Sequence, residues 1–174
     1  MSFMTISIIV ISIIGTISHF LYDISGHNKV IGIFSAVNES TWEHIKIALT
    51  PTILWGLIDG YIYGLNPNYF LGKLVSLITI ITLMPTLFYG YNYIFKKNNA
   101  IINILIFYIV IISSQYIFIY LLSLNSINFL IQYLSCIGTY IILACYMILT
   151  LMPIKNFLFK DPISKKYGFK AHTK

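Results

Sequence analysis

Ala100-Ile-Ile-Asn-Ile-Leu-Ile-Phe-Tyr-Ile-Val-Ile-Ile-Ser-Ser-Gln-Tyr-Ile-Phe-Ile-Tyr-Leu-Leu-Ser-Leu124 contains no charged residue. A helix needs about 20 mostly apolar residues to cross the hydrocarbon core of a bilayer. This stretch meets that length, and it shows no strand-like alternation of polar and apolar residues. A helix satisfies its own backbone hydrogen bonds, as lipid demands.

Four more stretches qualify: Phe3–Tyr22, His44–Leu65, Phe70–Phe95 and Ile127–Pro153. Asn66-Pro67-Asn68, Lys96-Lys97-Asn98-Asn99 and Asn125-Ser126 separate the last four spans as turns. Phe3–Tyr22 lacks a basic start and a small-x-small cleavage site, so it reads as a span rather than a secretory signal. The predicted fold is all-α: a polytopic membrane bundle of five helices over residues 1–155, followed by a basic tail, 156–174.

Composition agrees. Of 174 residues, 58% are apolar and 9% charged, whereas soluble domains carry about 25% charged residues. The net charge of +6 does not indicate nucleic acid, because the lysines sit at span ends and in the tail. Such lysines orient a membrane protein and face anionic lipid. Lys29, Lys46, Lys96, Lys97, Lys155, Lys160, Lys165, Lys166, Lys170 and Lys174 fall on one side of a five-span chain, and Lys73 alone on the other. The positive-inside rule therefore predicts an N-terminus outside and a cytosolic tail, in a cell membrane.

Four of the five acidic residues, Asp23, Glu39, Glu43 and Asp59, fall in the first third of the chain. His19, His27 and His44 lie there too. Charge near a bilayer is costly, so the cluster in Asn38-Glu-Ser-Thr-Trp-Glu-His-Ile-Lys46 marks a candidate site on the cytosolic side. His19 and Asp23 are spaced to share a helix face, and a carboxylate beside an imidazole suits both metal ligation and base chemistry. His19, Asp23 and His44 are candidate ligands for a divalent metal such as zinc, and Glu39 and Glu43 candidate general bases. The spacing matches no established zinc motif. Structural roles compete for the same residues. Ser40-x-x-Glu43 reads as a capping box, and Trp42 as an interfacial anchor. The apolar run Val30–Val37 is too short to span and reads either as a re-entrant segment over the cluster or as a plain loop.

Asp59 and Lys73 lie symmetrically about the 66–68 turn, so a helical hairpin sets them at one depth as a structural ion pair. Gly56, Gly60 and Gly64 form overlapping G-x-x-x-G steps, a face for a second copy or another membrane protein. Cys136 and Cys145 point to opposite helix faces and read as small buried apolar residues. Pro51 and Pro85 fall inside spans, and Asp161-Pro162 favours a turn.

The chain resembles an uncharacterised family of small multi-pass bacterial membrane proteins. The resemblance rests on His19-Phe20-Leu21-Tyr22, Gly26, Val37-Asn38-Glu39-Ser40-Thr41-Trp42-Glu43-His44-Ile45-Lys46, Pro51, Phe159-Lys160-Asp161-Pro162 and Tyr167-Gly168. It implies a multi-pass membrane protein and supplies no reaction.

Two classes of function stay open. One is a membrane-embedded hydrolase, metal-dependent or acid/base, acting on a lipid or amphipathic substrate. The other is a non-enzymatic accessory or small-solute or ion permeation protein, with the cluster as a partner or ion site.

Overall fold

The computed structural model describes residues 2–96 and 99–172. Lys97, Asn98 and Lys174, used in the sequence reading, lie outside them. Six α-helices are present among the described residues: α1 (Phe3–Ile24), α2 (Lys29–Phe34), α3 (Thr41–Tyr63), α4 (Tyr69–Phe95), α5 (Ala100–Leu122) and α6 (Phe129–Leu151). All except α2 are long and apolar enough to cross a membrane. The protein is thus an all-helical membrane bundle with five candidate spans.

Polar side chains start several helices where the backbone N–H groups of a first turn lack partners. Ser2 accepts from the Thr5 amide at 3.2 Å. Asn28, Asn99 and Asn128 accept from the amides of Val30, Ile101 and Leu130 at 2.9, 2.8 and 2.8 Å. Pro51 and Pro85 lie inside α3 and α4.

α4 packs along α3, α5 and α6, and α1 packs on α3 and α5. α3 is the most enclosed span, with 56% of its most apolar stretch buried against 17% for α6. Gly15 sets the approach of three helices. A Cβ there would meet the Ile47 carbonyl oxygen at 2.6 Å and the Phe107 ring at 2.7 Å. Glycine therefore lets α1 lie directly on the α3 backbone.

One buried asparagine ties two turns at the end away from the His/Glu cluster. Asn68 is fully buried. Its side-chain N–H group reaches the carbonyls of Leu121, Leu124 and Asn125 at 3.0–3.2 Å. Its Oδ1 accepts from the Ile127 amide at 3.1 Å. The α3–α4 turn is thereby fastened to the α5–α6 connection.

Near that end Lys73 Nζ lies 2.5 Å from Asp59 Oδ2, with both side chains buried. Tyr69 donates its hydroxyl to Asp59 Oδ1 at 2.8 Å, and the Phe118 ring lies 4.7 Å from the ammonium. Gly56 and Gly60 of the glycine stripe face this group, while Gly64 is exposed at the end of α3. Cβ atoms at Gly56 and Gly60 would meet Lys73 Nζ at 3.8 Å and the Tyr69 hydroxyl at 3.1 Å. Tyr69 also donates to the Gly56 carbonyl at 3.2 Å. Gly56 and Gly60 therefore face α4 of the same chain, which corrects their reading as an outward contact face. Both cysteines are free, and Cys145 is exposed on α6 rather than buried.

Candidate functional site

The cluster sits where α1 ends and α3 begins. Between them, α2 turns the Val30–Val37 run back over the bundle, neither as a span nor as a plain loop. Tyr146 of α6 donates to the Ile33 carbonyl at 2.9 Å, and Lys46 of α3 donates to the Gly32 carbonyl at 2.9 Å.

The two candidate bases have different surroundings. Glu43 is buried, and its Oε2 lies 2.6 Å from Lys46 Nζ, which is fully buried. The same carboxylate oxygen accepts from the Val37 amide at 3.0 Å. These partners replace the expected capping box. Ser40 is the α3 N-cap without a side-chain cap bond, and Asn38 Oδ1 accepts from the Ser40 amide at 2.8 Å. Reaching the first turn would leave the Lys46 ammonium uncompensated in the core, which costs far more than a cap gains.

Glu39 precedes α3 and is half exposed. Its Oε1 lies 3.7 Å from His19 Nε2 and its Oε2 3.8 Å from His44 Nε2. The ring centroids of His19 and His44 are 5.6 Å apart. One carboxylate thus stands between two imidazoles from different helices. These separations exceed a direct hydrogen bond and remain within ion-pair reach. His44 Nδ1 lies 3.0 Å from the Ser40 carbonyl oxygen. A carbonyl only accepts, so Nδ1 carries a hydrogen, and Nε2 is the ring nitrogen that faces Glu39. His19 Nδ1 is buried without a hydrogen-bond partner among the described residues.

Asp23 turns elsewhere. Its Oδ1 lies 3.1 Å from His27 Nε2, four residues on and exposed. His19, Glu39 and His44 are therefore drawn together, while Asp23 and Glu43 take other partners. Among the described residues, no group of three or more His, Cys, Asp and Glu side chains is placed to hold a metal ion.

Two cavities meet at the cluster. The larger, about 310 Å³, lies between α1, α3 and α5, with Thr16, Phe20, Ile47, Ile104, Phe107 and Tyr108 in its wall beside His19, Glu39 and His44. Its wall is mostly hydrocarbon. The smaller, about 250 Å³, lies between the 36–39 loop and the C-terminal segment, and is lined by Asp23, Asn38, Asp161 and Ser164 together with His19 and Glu39.

The C-terminal segment holds the loop that carries Glu39. Asp161 Oδ1 accepts from the Glu39 amide at 3.1 Å. Asn38 donates its side-chain N–H to the Gly168 carbonyl at 3.1 Å, and the Trp42 amide donates to the Leu158 carbonyl at 2.9 Å. Trp42 is buried and stacks on Phe159 at 4.8 Å between centroids, so it packs inside instead of anchoring at the interface. Asp161-Pro162 does make a turn: Asp161 Oδ2 accepts from the Ser164 amide and hydroxyl, both at 2.6 Å. Burial works against the Asp161 charge, but these bonds with that from Glu39 hold its carboxyl below the usual aspartate value.

Sequence reasoning missed Asp161 as a partner of the cluster. The available signal was that it is the one acidic residue outside the first third, inside the string Phe159-Lys160-Asp161-Pro162. That string and Asn38–Lys46 are far apart in the chain and touch in space.

No curated protein and no solved structure matches the chain. A family model described as a family of unknown function, DUF6512, matches residues 1–169. A match over nearly the whole length, on a chain with five helices fit to cross a membrane, means that this protein belongs to that family of unknown function.

Proposed function

We propose that the protein is a membrane-embedded acid/base enzyme, a hydrolase of an amphipathic substrate, working at His19, Glu39 and His44. The observation that carries this reading is the position of Glu39 between His19 Nε2 and His44 Nε2 at 3.7 and 3.8 Å, in the wall of an apolar cavity. A carboxylate flanked by two imidazoles can pass a proton either way near neutral pH. His44, its tautomer set by the Ser40 carbonyl, is the base toward water, and Glu39 stabilises the imidazolium that forms. His19 is the acid toward the leaving group. Glu43, neutralised by Lys46, is a structural residue here.

The site faces the cytosol in this reading. Lys46 and Lys73 are each paired inside the bundle. The other described lysines, Lys29, Lys96, Lys155, Lys160, Lys165, Lys166 and Lys170, fall at the end of the bundle that carries the His/Glu cluster, and that asymmetry supports an outside N-terminus in the cell membrane. In this reading residues 1–155 are the bundle and 156–174 a cytosolic tail, which holds the site loop through Leu158, Asp161 and Gly168.

The test is turnover by purified protein in nanodiscs against a panel of single-chain esters and amides, followed by mass spectrometry. His44→Gln and Glu39→Gln should each lower turnover by about 10²–10⁴-fold, with thermal unfolding unchanged. Stoichiometric metal in the active protein, lost in His19→Gln and His44→Gln, would replace acid/base chemistry by metal-assisted hydrolysis. No turnover of any member would favour the accessory or permeation reading.

A further inference from the structure

His19 and Glu39 stand in the wall of both cavities. The two spaces differ in chemistry. The larger is walled by Phe20, Ile104 and Phe107 at the membrane-facing cleft between α1 and α5, and Phe20 and Ile104 are each 54% exposed. The smaller is formed by the end of α1, the 36–39 loop and the C-terminal segment; it carries the carboxylates of Asp23, Glu39 and Asp161, and no lysine is among the described residues of its wall. Hydrocarbon is stabilised in the first and a hydrogen-bonding group in the second. His19, which belongs to both walls, has a buried Nδ1 without a hydrogen-bond partner among the described residues.

We infer that the two cavities form one binding site for a single-chain amphiphile, with the alkyl chain between α1 and α5 and a hydrogen-bond-donating, non-anionic head in the chamber of Asp23 and Asp161. This deepens the proposed function, since it places the middle of the ligand at His19 and Glu39. The 310 Å³ apolar space is at the low end of small-molecule sites, which run from about 300 to 1,000 Å³. That volume suits one chain rather than the two of a bilayer phospholipid. The carboxylates disfavour an anionic head, because like charges at close range repel.

Binding is tested with a probe that has nothing to hydrolyse: a dodecyl chain bearing a diazirine and a primary amine head. The protein is held in phosphatidylcholine nanodiscs, illuminated, and mapped by mass spectrometry. Labelling should concentrate on Phe20, Ile104 and Phe107. Dodecylamine should compete, and laurate should not. Ile104→Trp, at a half-exposed cavity wall, should abolish competed labelling, while Leu105→Trp, a neighbour that does not line the cavity, should leave it intact. Asp23→Lys, at an exposed position, should weaken amine labelling about fivefold or more. Labelling spread evenly over the lipid-facing helices, or unaltered by Ile104→Trp, would overturn the chain site. Equal competition by laurate would overturn the assignment of the head. Because the probe undergoes no reaction, site-specific labelling without turnover of any ester would sink the catalytic reading and leave the binding site standing.

Discussion

The backbone amide of Glu39 donates to the Asp161 carboxylate at 3.1 Å, across 122 residues of sequence. This bond fixes the loop whose side chain lies between His19 and His44, so the C-terminal segment is part of the site's scaffold. Asp161→Ala removes an acceptor that serves Glu39 and Ser164. It should destabilise the protein by about 1–3 kcal/mol, read as a lower Tm in detergent. Any hydrolytic activity should fall with it, because Glu39 loses its support.

Asp161 also predicts a pH dependence. Its carboxyl is held below the ordinary value of 3.8 by hydrogen bonds from Ser164 and Glu39 that outweigh burial. A depressed folded value means that its contribution is complete above the unfolded value. That contribution is lost as pH falls through the folded one. Wild type should therefore lose stability between about pH 5 and the folded value by this route, and Asp161→Asn should show a flatter acid limb. Parallel acid limbs in the two proteins would reject this role.

Glu43 and Lys46 should be strongly non-additive. Either Glu43→Gln or Lys46→Met leaves one charge buried alone, at a cost of about 3–5 kcal/mol. The double variant removes both charges and should recover much of that loss. A double-mutant cycle on thermal or denaturant unfolding measures the coupling, and strictly additive losses would count against a buried ion pair.

Asp59 and Lys73 should behave alike at the other end of the bundle. Asp59→Asn alone should lower the Tm, and Asp59→Asn with Lys73→Met should restore part of it. Recovery should be incomplete, because Tyr69 also donates to Asp59 and Phe118 also contacts the ammonium.

Topology is open to cysteine labelling once Cys136 and Cys145 are replaced. Ile163→Cys and Leu65→Cys occupy exposed positions, 77% and 102% accessible, at opposite ends of the bundle. A membrane-impermeant maleimide applied to intact cells should label position 65 and spare position 163. The reverse pattern would invert the orientation.

What the sequence alone determined is the set of spans and their character. Apolar runs of span length tolerate almost nothing except helices, because lipid offers backbone groups no hydrogen bonds. α3 is the least apolar of the spans, with mean hydropathy 1.2 against 1.8–2.2 for the others, and it is also the most enclosed. The rarity of charge in an apolar chain also drew attention to His19, Asp23, Glu39, Glu43 and His44 as a group.

Only the tertiary structure decided which partner each polar group takes. Ser40-x-x-Glu43 has the form of a capping box, yet Glu43 goes to Lys46 and Val37, because a buried ammonium demands a counter-charge more strongly than a helix start demands a cap. His19 and Asp23 are spaced to meet, yet Asp23 pairs with His27 and His19 turns to Glu39. Gly56 and Gly60 look like a contact face for another chain, yet Lys73 and Tyr69 fill the space beside them. Asp161 reaches Glu39 only because the chain folds back over the bundle. Local spacing limits which groups can meet, and the fold chooses among them by satisfying the most costly buried charges first.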